Sequence, residues 1–152
     1  MTSAEQRREH LPDWEQWNRE AVVELGEVLR HEPPELLLED PRVGLMQLDE
    51  LTRDQDMEST GHDSAVWVES RLHAYVAHYL ITKFDGHWLV GTDPDSPTFG
   101  RYLVAVQHPD ADAPAFVDVG DLVHTFLHSH RPRSLAVRLV DLEISLVTAD
   151  EK

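Results

Sequence analysis

Residues 64–84 read SAVWVESRLHAYVAHYLITKF, and at 85–92 the chain continues DGHWLVGT. In the first stretch Val68, Leu72, Tyr75, Val76, Tyr79 and Leu80 recur at intervals of three and four, which gathers them into one wide apolar stripe on a helix. Asp63 is a suitable N-cap, and Asp85-Gly86 closes the helix or opens a turn. A stripe of that width needs a surface to cover it. The sequence supplies one downstream, where HWLVGT (87–92), RYLVAVQ (101–107) and AFVDV (115–119) are short β-branched and aromatic runs. The segments between them, DPDSPTFG and HPDADAP, are rich in Pro and Asp, as turns are. The reading is a long central helix followed by a three-stranded β-meander, enough strands for a stable sheet with one covered face.

Upstream, Trp14, Trp17, Ala21, Leu25 and Val28 keep helical spacing over 13–30, with Asp13 and Gln16 placed as a capping box and Pro33-Pro34 as the stop. The leucines of 35–55 fit two short helices split at Pro41, and the polar run DQDMESTGHD (54–63) reads as a mobile loop. Downstream, Leu122, Val123, Phe126 and Leu127 mark a helix from Asp118 to about His130, ended by Pro132. Over 134–147 the heptad Leu135, Leu139, Leu142, Leu146 favours helix over the alternation of Leu135, Val137 and Leu139. The expected fold is therefore α+β. N-terminal helices and one long central helix pack on a small antiparallel three-stranded meander, followed by one or two C-terminal helices. With 152 residues and no repeat or linker, the chain reads as a single domain, 1–152, frayed at about 1–12 and 148–152.

Composition narrows function. The absence of cysteine excludes disulfides, thiolate metal ligation and cysteine nucleophiles. No apolar leader and no run of about 18 apolar residues occurs, so the expected location is cytoplasmic. Against 29 Asp and Glu stand 13 Lys and Arg, a net charge of −16. A field of that sign repels phosphate backbones and anionic membranes, which points away from nucleic acid and lipid and toward a basic protein partner. There is no G-x-S-x-G elbow, no S-x-x-K and no glycine-rich phosphate loop.

Two constellations remain. In DLVHTFLHSH (121–130), Asp121, His124 and His128 share the polar ridge of the helix, a spacing suited to Zn²⁺ or another divalent ion. HTFLH lacks the Glu that follows the first His in zinc-protease helices, so the general base is missing. His73 and His78, five apart on the central helix, diverge too far to share an ion, and His73 reads as a satisfied boundary histidine. Asp93, Asp95, Asp110 and Asp112 lie in loops that do not match a calcium loop and read as turn formers. The second constellation lies on the first long helix, where Trp14 and Trp17 with Glu20 and Glu24 form an aromatic and acidic face typical of protein docking.

The long helix SRLHAYVAHYLITKF, the strand opening Gly86-His87-Trp88, the strand RYLVAV, the Asp-capped helix DVGDLVHTFL and the leucine-rich end together resemble a group of small actinobacterial domains of unknown function. That resemblance covers just over half the chain and implies the order of elements, with no activity attached. The leading functional expectation is a non-enzymatic acidic module, of the immunity, adaptor or regulatory kind, docking on a basic protein. The alternatives are a metal-dependent protein or enzyme using Asp121, His124 and His128, and a structural subunit of a larger assembly or homodimer that buries the leucine-rich 36–51 region.

Overall fold

A computed structural model describes residues 3–148 of the chain. In order the elements are α1 (Ser3–Glu9), α2 (Leu11–Val28), α3 (Leu36–Glu39), a 3-10 turn (Pro41–Gly44), α4 (Leu45–Arg53), α5 (His62–Phe84), β1 (His87–Val90), β2 (Tyr102–Val106), β3 (Ala115–Val117), α6 (Val119–Leu127) and α7 (Leu135–Thr148). The fold is α+β as expected, with helices on a meander whose strand order is β1-β2-β3 and whose pairs are antiparallel. No helix of the described residues is long and apolar enough to cross a membrane.

α5 is the axis of the core. Leu72, Tyr75, Val76 and Leu80 from its stripe are at most 2% exposed, and Tyr79 is also buried. The remaining stripe residue, Val68, is partly covered. α2 lies along one side with Ala21, Val22 and Leu25, while α6 and α7 add Val123, Phe126, Leu127, Leu135, Leu139, Leu142 and Leu146. The sheet contributes Trp88, Val104, Val106 and Val117. In the ladder Trp88 stands opposite Val104 and Val90 opposite Tyr102, so Trp88 and Tyr102 are diagonal neighbours on one face. Tyr75, fully buried, donates its hydroxyl to the Pro41 carbonyl at 2.6 Å, which ties the 3-10 turn to the core. The terminal segment is helical, as its heptad requires.

The ends of elements differ from the sequence expectation in physical detail. Residues 3–9, read as a frayed end, form α1: the Arg7 guanidinium donates to the Gly100 carbonyl and Tyr102 donates its hydroxyl to the Arg7 carbonyl. α2 consequently begins at Leu11 with Pro12 in its first turn, where a missing N–H costs nothing, and Asp13 lies inside the helix instead of capping it. α5 begins at His62, with Gly61 as its cap in place of Asp63. At its other end Asp85 takes the left-handed conformation and the Gly86 N–H reaches back to the Ile81 carbonyl. Gly86 is needed for a second reason, since a Cβ there would meet the Ala105 carbonyl oxygen of β2 at 2.4 Å. The polar stretch between α4 and α5 is organised by Asp56, whose backbone and side-chain oxygens accept from Glu58, Ser59 and Thr60. The expected fraying at the C-terminus falls mostly on residues 149–152, outside the described residues.

The most demanding packing position is Gly26. It is buried in α2 where the chain returns from the Pro33-Pro34 turn, and a Cβ would lie 2.3 Å from the Pro34 carbonyl oxygen. Because the obstacle is backbone, a rotamer change cannot relieve it. Gly26→Ala is expected to lower stability by roughly 2 kcal/mol despite alanine's better helix propensity, read as a lower urea midpoint at unchanged slope.

Candidate functional site

The crossing of α5 and α6 brings Glu69 to the histidines of α6. His124 Nδ1 lies 2.8 Å from Glu69 Oε1, and because an ionised carboxylate only accepts, the imidazole N–H is the donor. His124 and His128 face each other across the last turn of α6, their ring centroids 4.4 Å apart. One ligand atom from each of Glu69, His124 and His128 fits within a mutual distance of 4.8 Å, and among the described residues this is the group so arranged. His124 and His128 are exposed and Glu69 half-buried, so solvent reaches the cluster.

Asp121, expected to complete this set, does not belong to it. Asp121 and His128 lie seven positions apart, about 10 Å along a helix axis, and Asp121 is not in the group whose ligand atoms lie within 4.8 Å of one another. The backbone N–H of Asp121 instead donates to Asp118 Oδ1 as part of the cap that starts α6. The carboxylate comes from α5, 55 residues earlier in the chain.

One turn beyond Glu69, His73 enters a ring cluster. Its imidazole is 5.6 Å from Trp14 and 5.6 Å, edge-on, from Trp88. Trp14 in turn stacks on Tyr102 at 4.3 Å. His73 Nε2 is buried with no hydrogen-bond partner, and its pKa falls from 6.5 to about 4. Burial is the main cause. The negative charges of Asp118 and Glu69 oppose it, and Arg101, held 2.9 Å from Asp118, adds to it. The sequence reading of His73 as a satisfied histidine is thus corrected: the ring is neutral and unpartnered at Nε2. The other histidine of that pair, His78, hydrogen-bonds the Leu38 carbonyl at 2.8 Å.

The four residues expected to form a docking face separate into two roles. Trp17 and Glu20 are exposed on α2. Trp14 is half-buried in the ring cluster and lies nearly parallel to Trp17, with centroids 5.9 Å apart. Glu24 accepts from Arg71 at 2.9 Å and from the Trp67 indole at 3.2 Å, and these bonds hold its carboxyl below the usual range, the Arg71 hydrogen bond most strongly. The Arg71 guanidinium so fixed lies 5.4 Å from the Trp17 ring and 5.3 Å from the Trp67 ring. Arg71 carries no sequence signal of its own, although it sits four residues after Trp67 on α5, the spacing that brings the two to one side of the helix.

A cavity of about 580 Å³ opens between the two loops that flank α6 and α4, lined among others by Asp56, Glu58, His128, His130, Arg131 and Arg133. Its basic side is already occupied by the chain itself. Arg133 is 8% exposed and donates to the carbonyls of Thr52, Gln55 and Ser129, and Arg131 donates to that of Asp54. The Asp93 side chain accepts from the Asp95 N–H at 2.9 Å, the turn geometry expected of that loop.

Comparison with protein-family models, with curated proteins and with solved structures finds no match to this chain. The resemblance to actinobacterial domains therefore rests on the residues quoted for it.

Proposed function

We propose that the protein is a non-enzymatic acidic docking module whose partner is a protein with a basic surface, and that Trp17 and Glu20 on α2 are the centre of the contact. The observation that carries this reading is the preparation of Trp17. Its ring is exposed, yet it lies 5.9 Å from the near-parallel Trp14 ring and 5.4 Å from the Arg71 guanidinium, and Arg71 is itself fixed by Glu24. A large aromatic immobilised before binding loses little side-chain entropy on association, which is the property of interface anchors. Trp14 and Glu24 then serve as supports of the contact instead of touching the partner.

Charge supports the same reading. With 29 carboxylates and 13 Lys and Arg, one-to-one pairing leaves at least sixteen carboxylates without a Lys or Arg partner. Several bases are also spent locally, as in Arg42–Asp40, Arg53–Asp49, Lys83–Glu143 and Arg101–Asp118. The long-range field is negative, and it raises association rates with a basic surface and disfavours acidic competitors.

The test is a crosslinking capture from host lysate, run in parallel with the wild type and with Trp17→Ala and Glu20→Lys, followed by association kinetics with the purified captured protein. The expected result is one basic protein lost from both variants, with an association rate that falls at least tenfold between low and physiological salt. Capture that is indifferent to both substitutions, or a partner whose association does not respond to salt, overturns the reading.

A further inference from the structure

Independently of any docking role, we infer that Glu69, His124 and His128 form a binding site for one divalent transition-metal ion, with Zn²⁺ as the preferred biological occupant and one coordination position left open. Two imidazoles and one carboxylate are a ligand set that Zn²⁺ accepts, and imidazole favours the later first-row ions over Mg²⁺ or Ca²⁺, which take oxygen ligands. The three groups come from two elements locked together in the core, because α6 buries Val119, Leu122, Val123, Phe126 and Leu127 beneath this ridge. The ligand-bearing backbone is therefore in place before any ion arrives.

The distances fit. Legs of about 2.0–2.1 Å in tetrahedral geometry put ligand atoms roughly 3.4 Å apart. The three atoms here lie within 4.8 Å of one another, so contraction by at most about 1.4 Å completes the set. Side-chain torsions supply that movement, since the side chains of His124 and Glu69 are 61% and 39% exposed. The hydrogen bond from His124 to Glu69 holds two of the three ligands together in the metal-free state. The acidic surface concentrates cations around the site, and the Glu69 carboxylate offsets half of the ion's charge. Exposure leaves the fourth position to water or to a donor from another molecule.

The experiment is calorimetric titration of the tag-free, chelator-stripped protein with ZnCl₂ near neutral pH, repeated with Co²⁺ for its visible absorption. The wild type is expected to take up one equivalent and to give the intense absorption of four-coordinate Co²⁺. The His124→Ala/His128→Ala double variant is expected to lose both signals, and Glu69→Gln to bind at least tenfold more weakly. Asp121→Asn is expected to bind within twofold of wild type. All four substitutions are at exposed or half-exposed positions, and a thermal unfolding curve on each variant confirms that the fold is intact. No uptake by the wild type, uptake undiminished in the double variant, or an Asp121→Asn loss as large as that of Glu69→Gln would each overturn the assignment.

Discussion

Asp49→Ala is expected to destabilise the fold by about 3 kcal/mol, measured as a lower urea midpoint. Asp49 belongs to α4 and is 6% exposed, yet its carboxylate serves α7. It accepts from the Ser134 hydroxyl at 2.9 Å, from the Ala136 N–H at 3.1 Å and from Arg53 at 3.2 Å. The backbone amides at the start of α7 have no partner within their own helix, so a carboxylate from another helix performs the capping and joins the two elements. Truncation leaves buried donors unmade and a void beside Leu135. Asp49→Asn keeps an acceptor and the volume and is expected to cost less, about 1–2 kcal/mol.

The sign of the pH dependence follows from the same contacts. Burial works to raise the Asp49 pKa, but the hydrogen bonds from Ala136, Ser134, Arg53 and Leu135 together outweigh it and hold the carboxyl below its ordinary value. A folded-state pKa below the unfolded one contributes stability that is present above about pH 4 and is lost as pH falls through the lowered value. The gap between wild type and Asp49→Asn is therefore expected to narrow below pH 4. An Asp49→Asn protein as stable as wild type at pH 7 would show that the negative charge adds nothing to the α4–α7 junction beyond what a neutral acceptor supplies.

The interactions that the sequence made legible are those written along one element. The heptad Leu135, Leu139, Leu142, Leu146 points to a helix because its period is a helix's period, and all four leucines are buried. Asp118 was legible as the start of α6 because a capping side chain acts within three residues, here on the Asp121 N–H. The α5 stripe was legible for the same reason. What was not legible lies between elements. Glu69 and His124 are 55 residues apart, and the carboxylate of the histidine cluster was therefore sought on the histidines' own helix, at Asp121. Asp49 carried no pattern of its own, since its partners lie 85 and 87 residues away. The docking face was half legible: helical spacing placed Trp14, Trp17, Glu20 and Glu24 on α2, but only the crossing with α5 commits Trp14 to the ring cluster and Glu24 to Arg71. α1 was missed because six polar residues and the single apolar Ala4 carry no apolar period, and its helix is fastened by Arg7 and Tyr102 instead.

Stability is expected to decline as pH falls from about 6.5 to 4, and His73→Phe is expected to remove most of that slope. In the unfolded chain His73 titrates near its ordinary 6.5, whereas in the folded protein its pKa is about 4. Above 6.5 both states are neutral and the side chain contributes no pH dependence. Between the two values the unfolded chain holds a proton that the folded protein cannot, so the His73 contribution makes stability drop with each unit of acidification and itself levels off below 4, a total of roughly 3 kcal/mol. The charges that face the ring divide in sign, Asp118 and Glu69 favouring the proton and Arg101 opposing it, and neither carboxylate reaches Nε2 to bond it. Phenylalanine keeps an aromatic ring against Trp14 and Trp88 and carries no buried nitrogen, while its six-membered ring is larger than imidazole, so at pH 7 the variant is expected to lie within about 1 kcal/mol of wild type. Urea unfolding from pH 4 to pH 8 checks both halves of this expectation, and an NMR titration of the imidazole gives the midpoint directly. A His73 midpoint near 6.5 would mean that Nε2 reaches water or a carboxylate in solution, and would overturn this account of the slope.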